Sequence, residues 1–243
     1  MNFQTATICK QGGRQYNEDW LGYISQDNDS NCWVLADGLG GHGGGDIASR
    51  LAVDVILSSF QENSTFSSEN IKDLFQKSYE AIKDGQSSSP QLKHMQTTAV
   101  CLITQGNEAL WGHVGDSRLY HFHEHLIEKQ TFDHSVPQML AKAGEIESSE
   151  IRFHEDRNRL LRSIGSKDGV KPHIELSAIT LVPGDAFLLC TDGFWEHVFE
   201  NEMELDSVQT TGAEDWLSVM EERLLNRVLP GNDNYSAIAI RVF

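Results

Sequence analysis

The sequence predicts an α/β fold of antiparallel strands covered by helices, and three observations carry that reading. Apolar runs of strand length recur at residues 32–36, 98–104, 109–114, 118–122, 126–129, 187–191 and 235–242, bounded by turn residues. Apolar residues at helical spacing fall in an early block and a late one, at 47–56, 71–82 and 213–228. The middle strands are joined by turns too short for anything but antiparallel neighbours, which predicts a meander.

In chain order, Trp20 and Leu21 follow a polar stretch, and Cys32-Trp33-Val34-Leu35-Ala36 reads as a buried strand. A first helix is marked by Ile47, Ala48, Leu51, Ala52, Val55 and Ile56. A second is marked by Ile71, Leu74, Phe75, Ser78 and Ile82, with Ser67 and Ser68 as capping candidates, an end near Gly85, and a loop at 87–90. After the meander, Val136, Met139, Leu140 and Ala143 suggest a short helix leading into a charged, weakly apolar span to residue 159. Ala213, Trp216, Leu217, Met220, Leu224 and Val228 mark a last long helix before the final strand.

Several strands end in acids. Asp37 opens the stretch Asp37-Gly38-Leu39-Gly40-Gly41-His42-Gly43-Gly44-Gly45-Asp46, where glycines admit positive φ and close backbone approach. Asp192-Gly193 follows residues 187–191, and Asp233-Asn234 precedes the last strand. Any single Asp-Gly is explained by turn chemistry alone. Together, with Arg14-Gln15-Tyr16-Asn17-Glu18-Asp19 near the start, they suit a hard divalent cation, which prefers carboxylate and carbonyl oxygens.

These pieces resemble the metal-dependent protein phosphatases of the protein phosphatase 2C family, over nearly the whole chain and in the family's order. The matching segments are residues 14–19, 36–45, 97–100, 113–120, 133–135, 161–165, 183–193 and 233–234. The resemblance implies a four-layer α/β/β/α sandwich, two central antiparallel β-sheets flanked by helices, forming one catalytic domain over 1–243 with a mobile flap at about 136–159. It implies Mn²⁺ or Mg²⁺ as cofactor, two ions with room for a third. Asp37 would bridge the pair, with the Gly38 carbonyl on one ion and Glu18, Asp192 and Asp233 completing the other. Asp19 would orient metal-bound water. Asp116 matches the carboxylate that holds a third ion in bacterial relatives; a turn Asp is its other reading. Arg14 would bind substrate phosphate, which a guanidinium fork matches.

The chemistry implied is hydrolysis of phosphoserine or phosphothreonine by a hydroxide made available as metal coordination lowers the water pKa from about 15.7 toward about 7. No cysteine sits in the setting a phosphocysteine mechanism requires. Leu39 stands where animal members carry a His, so the proton donor for the leaving group is a metal-bound water and His42 a structural donor. Gln96 and Glu196 also depart from the common pattern, at positions of Gly and Asp. Residues 95–98 and 192–196 resemble stand-alone phosphatases linked to type VI secretion, which oppose a kinase acting on a forkhead-associated partner. Arg152, His154, Arg157 and Arg159 could touch a phosphoprotein, or simply be solvated. A silent scaffold on the same fold is the alternative, although it would be expected to lose one of Glu18, Asp37, Asp192 or Asp233. An enzyme on small phosphorylated metabolites is a third reading, predicting an enclosed pocket.

Bulk properties narrow the setting. Lys and Arg number 19 against 36 Asp and Glu, a net charge of −17, which disfavours nucleic acid and anionic membrane as partners. Cys9, Cys32, Cys101 and Cys190 are expected to be buried, reduced thiols, and no signal peptide or spanning segment is legible. A cytoplasmic monomer without an attached regulatory domain is the expectation. His121, His123 and His125 alternate on a strand but lack a zinc motif, and are expected on a wet face.

Overall fold

The computed structural model describes residues 1–27, 29–39 and 43–243. The strands are β1 (Phe3–Lys10), β2 (Asp19–Ser25), β3 (Ser30–Leu39), β4 (Gln96–Thr97), β5 (Ala99–Gln105), β6 (Glu108–Val114), β7 (Arg118–His123), β8 (Leu126–Gln130), β9 (His173–Ile174), β10 (Ile179–Thr180), β11 (Ala186–Cys190) and β12 (Tyr235–Val242). The helices are α1 (Gly45–Glu62), α2 (Ser68–Ser88), α3 (Val136–Ala143), α4 (Asp192–Trp195), α5 (Glu200–Gln209) and α6 (Ala213–Leu225).

One antiparallel sheet runs β1-β12-β11-β7-β8, and the other β10-β6-β5-β3-β2, with β4 beside β3 and β9 beside β6. The sheets pack face to face, and each carries helices on its outer side. Along β3 the side chains alternate, as a pleated strand requires. Trp33 and Leu35 enter the layer between the sheets with Val100, Leu102, Phe187, Leu189, Ile238 and Ile240. Cys32, Val34 and Ala36 face outward against Ala48, Ala52 and Ile56 of α1 and Ile71 and Phe75 of α2. Trp216, Leu217 and Met220 of α6 cover Tyr120, Phe122, Leu188 and Ala239 of the other sheet. With both faces covered, the strands read as continuous apolar runs, and the four layers are the α/β/β/α sandwich expected.

The meander is corrected. β5 and β6 pair in one sheet while β7 and β8 pair in the other, so the short link at 115–117 crosses the sandwich. Gly115 makes that crossing at φ 102, and a Cβ there would lie 2.5 Å from Thr98 Cγ2. Apolar periodicity carries no sign of a sheet change. The end of α2 is corrected too: the helix passes Gly85 and stops at Ser88, because Gly85 is a packing position where a Cβ would meet Met95 Cε at 2.4 Å. Its start is as read, with the Ser67 hydroxyl accepting from the Asn70 amide at 3.1 Å. β1, β2, β4, β9, β10, α4 and α5 were not predicted.

Three side-chain expectations also change. Cys9 is exposed, whereas the free thiols of Cys32, Cys101 and Cys190 are buried. His121 is buried against Phe187, with His123 on Asp185 and His125 on Ser207, so the three do not share a wet face. The 136–159 span is anchored: Arg152 is buried and donates to the carbonyls of Trp195 and Val198 and to Glu200. Among the described residues no helix is long and apolar enough to cross a membrane.

Candidate active site

The site forms at one end of the sandwich, where β2 begins and β3, β11 and the turn before β12 meet. Asp19 and Asp37 are paired across β2 and β3. Past that pair the Gly38 amide donates to the Glu18 carbonyl at 3.0 Å, and a Cβ on Gly38 would lie 2.2 Å from the Gly45 carbonyl oxygen. Only glycine allows the start of α1 to approach so closely. The segment at 97–98 fixes Asp37 from its other side: Thr98 Oγ1 accepts from the Asp37 amide, and Thr97 Oγ1 donates to its carbonyl at 2.8 Å.

Asp192 follows β11, and Gly193 sits where a Cβ would be 1.9 Å from the Asn234 carbonyl oxygen. That contact brings α4 against the turn carrying Asp233. Asn234 closes the arrangement by accepting from the Glu18 amide at 2.9 Å and donating to the carbonyls of Gln11 and Tyr16. Thr191 Oγ1 donates to Asp19 Oδ2 at 3.0 Å. The Trp195 indole donates to the Asp116 carbonyl at 3.0 Å, so α4 also positions the 115–117 crossing.

The result is a cleft of about 1040 Å³ lined by Arg14, Glu18, Asp37, Gly38, Asp116, Asp192 and Asp233. Arg14 donates through Nη2 to Asp233 Oδ2 at 2.7 Å from the rim. Of the predicted site residues, Asp19 alone lies behind the wall, buried beneath the cleft. Leu39 and Gln96 line the cleft, and Gln96 accepts from Ser163 at 2.5 Å. Gly40, Gly41 and His42 lie outside the described residues. Sequence reasoning gave no role to Asp46, His94, Asn158 and Asn234, which also line it. Asp46 and Asn234 stood inside quoted segments, while His94 and Asn158 carried no pattern that could have marked them.

Electrostatics make this a site for cations. Burial, the larger cause, and the charges of Asp192 and Asp233 push Asp19 up to about 8 against the hydrogen bond from Thr191. Burial together with Asp19, Asp192 and Asp116 holds Asp37 well above the usual carboxylate range. Asp116 and Asp192 are raised by burial and then by Asp192 and Asp233 respectively, and Glu18 by burial and Asp46. Asp37 and Asp192 are close enough to share a hydrogen bond. Asp19 Oδ1 is buried without a hydrogen-bond partner among the described residues. Like charges held this close need a proton or a cation between them, and an all-oxygen donor set selects a hard divalent ion. In donor chemistry the residues fit Mn²⁺ or Mg²⁺, although among the described residues no three of them are drawn together into a ready ion-holding group.

The family described as Protein phosphatase 2C matches residues 10–229. The chain belongs to the protein phosphatase 2C family. It is 32% identical over 196 residues to the serine/threonine phosphatase stp of Listeria monocytogenes serotype 4b, covering 79% of this chain and 77% of that one. The solved serine/threonine phosphatase of S. agalactiae superposes with a TM-score of 0.87 at 25% identity, covering 100% of both chains. PppA of Pseudomonas aeruginosa, described as a key regulatory component of T6SS, gives a TM-score of 0.79 at 25% identity over 100% of this chain and 99% of that one. As a member of this family the protein is a metal-dependent serine/threonine phosphatase that acts on phosphoproteins, with Mn²⁺ or Mg²⁺ as cofactor.

Proposed function

We propose that Glu18, Asp37, Asp192, Asp233 and the Gly38 carbonyl hold two divalent ions in this cleft, with Asp116 and Asp192 holding a third. The convergence of these carboxylates from five separate segments, with Arg14 at their edge, is the observation that carries the reading. The ions when bound supply the nucleophile by lowering the pKa of water and offset charge on the phosphoryl oxygens. Asp19, with Oδ2 held by Thr191 and Oδ1 unpaired, is left to orient a water at the inner edge of the cleft. Arg14 uses one nitrogen on Asp233 and keeps its other N–H groups for the substrate phosphate.

Residues 1–243 form one catalytic domain in this reading, with 136–159 as a flap beside the cleft. The setting we infer is a cytoplasmic monomer opposing a serine/threonine kinase, supported by the buried reduced cysteines. The likeness to PppA, together with residues 95–98 and 192–196, supports a place in control of type VI secretion, with a forkhead-associated protein among the partners. Phosphate release from a phosphothreonine peptide with Mn²⁺, with and without excess chelator and beside Asp37→Asn, is the direct test. Activity should vanish under either treatment while the fold persists. Sustained turnover in chelator would sink the metal-dependent reading.

A further inference from the structure

A second cleft of about 350 Å³ opens beside the catalytic one and shares Arg14, Asn158, Asp192 and Asp233 with it. Arg157, Glu196, His197 and Arg227 complete its charged wall. Asp192 and Asp233 belong to the ion-binding set, so the balance of charge facing this space rests on the other groups. Arg227 is committed, donating to the His197 carbonyl at 2.6 Å and to Glu202. Arg157 is not. Its Nε donates to Glu196 at 3.1 Å, and among the described residues neither terminal nitrogen makes a hydrogen bond.

Glu196, one of the departures from the common pattern, thus holds Arg157 by its inner nitrogen and leaves the two outer ones facing the cleft edge. The pair is not sealed from solvent, since the Arg157 side chain is 40% exposed. His197 in the same wall reports the local field: burial first, then Arg157, Arg152 and Arg227, hold it below the usual histidine range. In a chain of net charge −17, three arginines, Arg14, Arg157 and Arg227, gather beside the catalytic cleft, and Arg157 is the one of the three with both terminal nitrogens free of hydrogen bonds among the described residues.

We propose that this second cleft is a substrate subsite for an anionic side chain flanking the phosphoserine or phosphothreonine, bound chiefly by the terminal nitrogens of Arg157. The proposal rests on the phosphatase reading and adds a substrate class to it. A carboxylate and a second phosphate share the required chemistry, because both offer paired oxygens to a guanidinium fork.

The test compares kcat/KM on matched phosphothreonine peptides whose neighbouring residue is Ala, Lys, Glu or a second phosphothreonine, at low salt and with Mn²⁺. Wild type should favour the anionic peptides over the Ala peptide by roughly three- to tenfold, with the preference shrinking as salt is raised. Separate Glu and phosphothreonine arms tell which anion the subsite prefers. R157Q should lose that preference yet hydrolyse the Ala peptide as before, which also shows that the variant is folded. Equal kcat/KM on all peptides in wild type, or a parallel loss on all of them in R157Q, would overturn the subsite. Failure to hydrolyse any peptide would overturn the phosphatase reading beneath it.

Discussion

Asp37 is surrounded by Asp19, Asp116 and Asp192, so its ionised form is costly unless cations are present. Asp37→Asn should therefore abolish turnover and, in metal-free buffer, raise the melting temperature, since one of several mutually repelling acids is removed. Relief of ~1 kcal/mol is worth roughly 2–4 °C in a chain of this size, which thermal unfolding in chelator resolves. A lower melting temperature would show that the carboxyl is structural. Gly193 makes the opposite case. Its substitution by Ala would place Cβ 1.9 Å from a backbone oxygen of Asn234. Overpacking of this kind costs about 1–3 kcal/mol, and since neither backbone can yield alone, urea denaturation should give the upper end together with weakened Mn²⁺ affinity. The acids were legible at this scale because strand ends rich in Asp and Gly stand out in sequence. The threonines at 97 and 98 were legible only as part of a matching segment, because a hydroxyl that fixes another residue's backbone leaves no pattern of its own.

The long helices α1, α2 and α6 and most strands were legible because two covered sheets impose unbroken apolar runs, and those helices present apolar stripes to them. β1 escaped because its burial alternates weakly, with no residue fully buried. α5 escaped because its sequence, ENEMELDSVQ, is dominated by acids and buries only Met203, Asp206 and Ser207. The span after α3 looked like a solvated loop for a related reason: its anchor is an arginine. Arg152 reaches past Trp195 to Glu200, and Glu200 in turn meets Arg118 and Tyr120. Removing one partner of a fully buried pair costs about 3–5 kcal/mol. Glu200 is 36% exposed, so solvent screening reduces the expectation for Arg152→Ala to about 1–3 kcal/mol. Trypsin should then cut faster within 153–162, and an unchanged cleavage rate would show that the anchor lies elsewhere.

For the molecule as a whole, two groups of residues shape the response to pH. In metal-free protein the folded chain holds Asp19 up at about 8 against the ordinary carboxylate value of 3.8, so its favourable contribution is complete in acid and is lost as pH rises toward 8. The stacked pair His113 and His134 acts in the other direction. Burial chiefly lowers them to about 4 and about 3 from 6.5, so their contribution is full above 6.5 and disappears as pH falls through those values. Between about pH 6.5 and 8.5 the raised carboxyls act together with His123, which its hydrogen bond with Asp185 raises above the usual histidine value and which loses its contribution in the same direction, and the melting temperature in chelator should decline across that window. Saturating Mn²⁺ should abolish the carboxyls' share of the decline, because cations favour the ionised carboxylates that alkaline pH produces. A metal-independent slope would contradict the placement of the acids around a cation site.

The position of β12 has a further consequence for synthesis. This strand lies between β1 and β11, and Asp233 precedes it by two residues. A ribosome-bound chain that has not yet released residues 233–242 therefore lacks both the middle of one sheet and a carboxylate of the cleft. Docking of that one strand therefore completes the sheet and the cleft in the same step, and a nascent molecule without it holds neither.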